Sequence, residues 1–147
     1  MVLRLAELAE APEVKSFVCS LFESFIAKIG RVPRSMLADY AAVILRDRVW
    51  IVEEGEQLIA VLVLAQEANH YHIKTLAVRP DRQGKGLGRT LLRHAEVQST
   101  ESGYKEIWLH TNATMSCNVK LYSSVGYREM YREIYQGSES IYMRKEL

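Results

Sequence analysis

Between Val78 and Thr90 the chain reads Val-Arg-Pro-Asp-Arg-Gln-Gly-Lys-Gly-Leu-Gly-Arg-Thr, with glycines at 84, 86 and 88. An apolar run from Tyr71 to Val78 has strand character and stops at Arg79-Pro80-Asp81; Leu87, Leu91, Leu92 and Ala95 follow at helical spacing. A strand, a glycine-rich turn and a helix start therefore succeed one another, which commits the fold to pack strands and helices together. The first amides of a helix lack intrahelical acceptors and carry the positive end of its dipole, while glycine lets backbone approach an anion without a Cβ in the way. Arg82, Lys85 and Arg89 add charge to the same spot. The turn suits a phosphate; the plain alternative is a tight turn whose glycines serve conformation only. A Walker A loop is excluded, because Arg79 and Pro80 stand upstream of Gly84-Lys85 and Gly86 follows the lysine. The dinucleotide fingerprint fails too, since Arg89 occupies the place of its third glycine.

The remaining elements follow from periodicity. Leu3 and Leu5 alternate with polar neighbours as a short strand, and Val14 to Ile29 forms an amphipathic stripe that starts at Pro12 and ends at Gly30. After Pro33, Met36 to Leu45 predicts a second helix. Val49–Val52 and Leu58–Ala65 read as strands around a Glu53–Gln57 turn, the second apolar on both faces and so central. Ile107–Thr111 is a strand, Thr114–Val125 a helix stopped at Gly126, Tyr127–Tyr135 an alternating strand, and Ile141–Met143 the centre of a last one. Tyr127, next to Gly126, is assigned to packing, and the alternating Tyr127, Tyr131 and Tyr135 are expected on one face of that late sheet, as a dimer surface or part of a pocket.

At 147 residues the chain is expected to form one domain, 1–147, with no second unit. With 19 Lys and Arg against 18 Asp and Glu, no whole-protein field draws it to nucleic acid or an anionic membrane. Cys19 and Cys117 are too few for a disulfide framework, charge interrupts the N-terminus too early for a signal peptide, and no apolar stretch is long enough to span a bilayer. A cytoplasmic protein is expected. His70 and His72 share a strand face but have no third ligand at a convincing spacing, so no metal is expected.

Gln83-x-x-Gly86-x-Gly88, after Leu76-Ala77-Val78-x-Pro80, resembles the pyrophosphate-binding motif of the GCN5-related N-acetyltransferase (GNAT) superfamily. Asn118-x-x-Leu121-Tyr122-x-x-x-Gly126-Tyr127 resembles its second block, and the order of elements matches along the whole chain. The resemblance implies an α/β fold with a central, mixed, mostly antiparallel sheet of about seven strands and about four flanking helices. Its splayed parallel pair would be Tyr71–Val78 and Ile107–Thr111. It implies acetyl-CoA as cosubstrate and an amine acceptor as partner. Gln83, Gly84, Lys85, Gly86, Leu87, Gly88 and Arg89 would hold the pyrophosphate, and Leu76, Ala77 and Val78 would lie along the pantetheine arm. Asn118, one helical turn before Tyr122, would bond that arm, and Tyr122 would protonate the departing thiolate.

The acceptor amine must lose a proton before it attacks, since an alkyl amine of pKa about 10.4 is almost wholly protonated at neutral pH. His72 lies at a position where relatives carry a glutamate or a histidine, so the resemblance makes it the base; His70, Glu67 and a water chain are the alternatives, and His94 and His110 have no positional argument. Cys117 lacks a base partner in the sequence and is assigned to packing. The expected function is direct acetyl transfer to a primary amine of a small molecule or peptide through a ternary complex. The alternatives are a noncatalytic acyl-CoA-binding module and a nucleotide phosphate-binding protein. The acceptor would be shaped by Lys28–Met36 and by the last two strands; Lys28, Arg31 and Arg34 suit an acceptor with a carboxylate or phosphate or are simply solvated, the Glu53-Glu54-Gly55-Glu56 turn suits a polyamine or a peptide lysine equally, and a homodimer is possible.

Overall fold

The computed structural model describes residues 1–147. Its elements are β1 (Val2–Leu5), α1 (Ala11–Phe22), α2 (Ile26–Ile29), α3 (Arg34–Leu37), α4 (Tyr40–Arg46), β2 (Arg48–Glu54), β3 (Gln57–Gln66), β4 (Tyr71–Val78), α5 (Leu87–Glu101), β5 (Glu106–Asn112), α6 (Ser116–Ser124), β6 (Arg128–Tyr135) and β7 (Ser138–Glu146). One seven-stranded sheet runs in the order β1-β2-β3-β4-β5-β7-β6, antiparallel except between β4 and β5. No helix is long and apolar enough to cross a membrane.

The unbroken apolar run of β3 places it inside the sheet, with Leu58 through Ala65 all buried. Such a strand needs cover on both faces, and the helices divide accordingly. On one face α5 and α6 pack Leu92, Ala95 and Tyr122 against Leu62, Leu64, Tyr71, Ile73 and Leu109. On the other, Val14 and Val18 of α1 and Val43 of α4 meet Ile51, Val61 and Val63. Each fully buried aliphatic side chain adds roughly 1.5–3 kcal/mol of transfer free energy.

Four predicted helices appear as six segments. The first stripe is interrupted at Glu23–Phe25 by a tighter turn in which the Ile26 N–H bonds the Glu23 carbonyl. Spacings of three and four over so short a span do not distinguish a 3₁₀ turn from an α-turn, so the stripe hides the break. Gly30 then ends α2 at φ +86°, a left-handed conformation that glycine adopts without a Cβ clash. The second stripe breaks at Ala38, because Asp39 takes an extended conformation and its carboxylate accepts the Ala42 N–H at 3.3 Å as the cap of α4.

β6 differs from the alternating strand expected: it is the sheet's outer edge and exposed along its whole length. Tyr127 lies just before it, buried beside Tyr122 and Met143 in the core under α5 and α6. A bulge between Glu129 and Tyr131 then shifts the register. Tyr131 stacks on Tyr142, 4.7 Å between ring centroids, among residues of the other face, so the three tyrosines do not share a surface.

β4 and β5 pair over only three positions, Tyr71–Ile107, His72–Trp108 and Ile73–Leu109, although β4 continues to Val78. Where the pairing stops, Lys74 is an extra residue, because Val63 of β3 opposes Thr75 while Leu64 opposes Ile73. The parallel strands part there, as the splayed pair expected. Leu62, fully buried and opposite Leu76, ties the free half of β4 to the core. Leu62→Ala is expected to destabilise the chain by about 2–5 kcal/mol in urea denaturation, and a loss below about 1 kcal/mol would contradict this packing.

Candidate active site

A cleft of about 880 Å³ opens between the parted strands. Thr75 and Leu76 of β4, His110 and Thr111 of β5, and Asn118 and Tyr122 of α6 line its inner part. Arg31 from the turn before α3, Arg34 of α3 and Tyr40 of α4 line it as well.

The glycine-rich turn joins β4 to α5. Gly84 and Gly86 hold φ of +75° and +86°, which a residue with a Cβ would occupy only under strain, and Gly88 faces Leu121 of α6. Six consecutive amides, Gly84 through Arg89, donate to no acceptor in the chain; the first bonded one is the Thr90 N–H, to the Gly86 carbonyl at 3.0 Å. They converge on the positive end of a 15-residue helix. Of the nearby cations, Arg82 is held by Glu54 at 2.7 Å and Arg79 by Asp81, whereas Lys85 is exposed and unpaired and Arg89 reaches only Ser124 Oγ at 3.2 Å. The Gln83 side-chain amide bends back to donate to the Val78 carbonyl at 2.8 Å.

The free edge of β4 runs from the cleft, which Thr75 and Leu76 line, towards this turn; Ala77, Val78 and residues 83–89 lie outside the cleft lining. The Arg79 N–H donates to Ile59 of β3, so by strand alternation the main-chain groups of Thr75 and Ala77 also point to β3, and those of Leu76 and Val78 point towards the gap. A linear ligand lying between β4 and β5 finds there the hydrogen-bonding edge of a missing strand.

Asn118 and Tyr122, one turn apart on α6, both line the cleft, and Asn118 Nδ2 lies 3.4 Å from Thr111 Oγ1. The Tyr122 hydroxyl makes no hydrogen bond within the chain, and burial pushes its pKa up to about 12. It remains a proton donor throughout the physiological range.

His72 is buried at 5% exposure and does not line the cleft. Its Nε2 lies 2.7 Å from Nδ1 of His110, which does. Desolvation, then the charges around them, lowers His72 to about 3 and His110 to about 4, so both rings are neutral at pH 7. Two tautomers satisfy the contact. If His110 Nδ1 donates to His72 Nε2, the His110 Nε2 lone pair is free for the cleft; in the reverse case Nε2 carries a hydrogen. Glu67 also lines the cleft, paired with Lys74 at 3.5 Å. His70 lies outside it, bonded to Asn69 and tilted against Trp108, and His94 packs edge-on against Trp50. His110 is the residue the sequence reading passed over: its role depends on which strand lies beside β4, and only the parallel pairing puts it next to His72.

Residues 16–127 match the model of the acetyltransferase (GNAT) family. Over 67 residues, 46% of this chain, the sequence is 37% identical to the [ribosomal protein bS18]-alanine N-acetyltransferase of Escherichia coli K12, and that stretch spans 43% of the relative's length. The IAA acetyltransferase from Bacillus cereus ATCC 14579 superposes with a TM-score of 0.73 at 22% identity, covering 99% of both chains. A GNAT family acetyltransferase from Elizabethkingia anophelis with acetyl-CoA bound gives 0.73 at 16% identity, covering 99% of this chain and 97% of that one. Both superpositions show a shared fold.

The histidine pair makes a pH prediction. Both folded pKa values lie below the ordinary 6.5, so between about pH 4 and 6.5 the unfolded chain binds more protons and stability falls as pH drops through that window. Nitrogen-15 NMR of the imidazoles is expected to show both rings neutral at about pH 5.5, and an imidazolium signal for either would contradict the burial described.

Proposed function

The chain belongs to the acetyltransferase (GNAT) family, and from that premise we propose that it is an acetyl-CoA-dependent N-acetyltransferase acting on a primary amine of a small molecule or peptide within one ternary complex. The observation that carries this reading is the run of six acceptorless amides from Gly84 to Arg89 at the end of a strand whose neighbouring edge is open. An anion of two linked phosphates suits that cradle, and Lys85 and Arg89 add charge to it. The pantetheine arm lies along the main-chain groups of Leu76 and Val78 beside Ala77, with Asn118 across the gap. The thioester then sits between β4 and β5, near Tyr122. A relative of the same fold carries acetyl-CoA, and a curated relative acetylates an alanine amine, as their names state.

The ammonium first gives one proton to a base; its nitrogen then attacks the thioester carbonyl, forming C–N and breaking C–S, and sheds a further proton to water as the sulfur gains one. Tyr122 supplies the sulfur's proton. A thiolate released into this buried gap is made more basic by the same loss of water that raises the phenol, which keeps the two groups matched. His110 takes the first proton on Nε2, in the tautomer whose Nδ1–H donates to His72. The imidazolium that forms keeps that hydrogen bond, so His72, proposed from the sequence as the base itself, acts behind His110. A main-chain amide on the free edge of β4 polarises the carbonyl, a contribution of about 3 kcal/mol to the barrier. Cys117 is exposed and absent from the cleft lining, which favours direct transfer over a thiol intermediate.

Calorimetric titration with coenzyme A is expected to give saturable binding, and release of thiol from acetyl-CoA to report turnover on an amine panel. Tyr122→Phe and His110→Gln should each lower kcat about 10²-fold or more with coenzyme A affinity retained. Absence of binding heat overturns the reading. Binding with no turnover on any amine returns the noncatalytic module.

A further inference from the structure

The charged side chains lining the cleft are unequal in number: Arg31, Arg34, Arg46 and Lys74 face Asp47 and Glu67. Two of the cations are neutralised locally, Arg46 by Asp47 at 3.2 Å and Lys74 by Glu67 at 3.5 Å. Arg31 and Arg34 are the remainder. Arg34 has one carboxylate, Glu133 at 3.6 Å on the edge strand, outside the cleft lining and half exposed. Arg31 has none: its Nη1 approaches only the Val32 carbonyl, at 3.4 Å, and its Nε is buried without an acceptor.

The two guanidiniums are held over one ring. Their carbon atoms lie 5.4 Å and 4.8 Å from the centroid of Tyr135. Stacking on one aromatic face restricts both forks, so less rotamer freedom is lost when an oxyanion arrives. Arg31 Nε is closed off without an acceptor, so the charge that Arg31 brings to the cleft lining is uncompensated within the chain, and a carboxylate or phosphate there offsets it through charge-assisted hydrogen bonds.

We propose that Arg31 and Arg34 form an anion subsite in the acceptor part of the cleft, so that the amine acetylated belongs to a small molecule or peptide that also carries a carboxylate or phosphate. This inference rests on the acetyl-transfer reading and adds the acceptor's second group. The amine end is directed to His110, the oxyanion end to the arginines, and a neutral or polycationic amine lacks the second anchor.

Two matched pairs test it: glycylglycine against glycylglycinamide, and phosphoethanolamine against ethanolamine. The anionic member of at least one pair is expected to show about tenfold or greater kcat/KM, and which pair responds identifies the oxyanion. Arg31→Gln should bring that ratio towards one, Arg31→Lys should restore part of it, and Arg34→Gln should lower it in the same direction. Where none of the four amines is acetylated, titrating them onto the coenzyme A complex reads the same ratio as affinities. Equal or better use of the uncharged members, or a ratio indifferent to both glutamine variants, overturns the subsite while leaving acetyl transfer intact. A wild-type chain that gives no heat with coenzyme A defeats the parent reading and the subsite with it.

Discussion

The site exists because two parallel strands stop pairing. β4 and β5 share three residue pairs and then separate, leaving five residues of β4 with their outer edge unpaired. Buried backbone donors and acceptors are normally satisfied, so a strand edge facing an internal cleft invites a ligand that completes the sheet. The edge stays straight because β3 grips its other side through Ala60–Val78, Val61–Ala77 and Leu62–Leu76, and because β3 is itself buried on both faces. The extra residue at Lys74 marks the point of parting, where its side chain turns to solvent and pairs with Glu67. The arginines, His110 and Tyr122 line that opening, and the amide cradle follows where the free edge of β4 ends.

The cleft also separates two kinds of electrostatic work. At the α5 end fixed dipoles act, since peptide amides cannot titrate and need no side chain to position them. At the acceptor end, burial keeps groups neutral that would be charged in water near their ordinary pKa: both histidines are held down mainly by desolvation, and for His110 the next contributions are Lys74, Arg34 and Arg31. The cationic surroundings that favour an oxyanion therefore also favour an unprotonated His110. An amine entering the same field is itself pushed towards its neutral, nucleophilic form, so anion recognition and base availability reinforce one another.

How far the sequence speaks depends on whether a feature is local. The glycine turn, the β3 run and the Asn118–Tyr122 spacing are set within one element, and the structure keeps all three. The helix breaks at Glu23–Phe25 and Asp39 were hidden because apolar spacing carries on across them. Tyr127 packs in the core as its place beside Gly126 indicates, but a bulge at Met130 is invisible to an alternating pattern, so the shared face with Tyr131 and Tyr135 does not form. His72 was read from its own strand, yet its surroundings come from β5, thirty-eight residues further on in the hydrogen bond to His110. Long-range pairing decides which of two histidines meets the cleft, and no spacing within β4 encodes it.

The two ends of the cleft therefore constrain the sequence differently. A diphosphate held by main-chain amides demands glycine where φ is positive and leaves neighbouring side chains free, so its signature is short and contiguous. The proposed acceptor subsite draws its side chains from wherever the fold brings them: Arg31 from the junction before α3, Arg34 from the first turn of α3, Tyr135 from the end of the edge strand, His110 from β5. Such a pocket can change its ligand by exchanging one or two side chains without disturbing the sheet. On the proposed reading the cosubstrate half of the site is therefore written in one motif, and the acceptor half emerges only from the folded arrangement of residues more than a hundred positions apart.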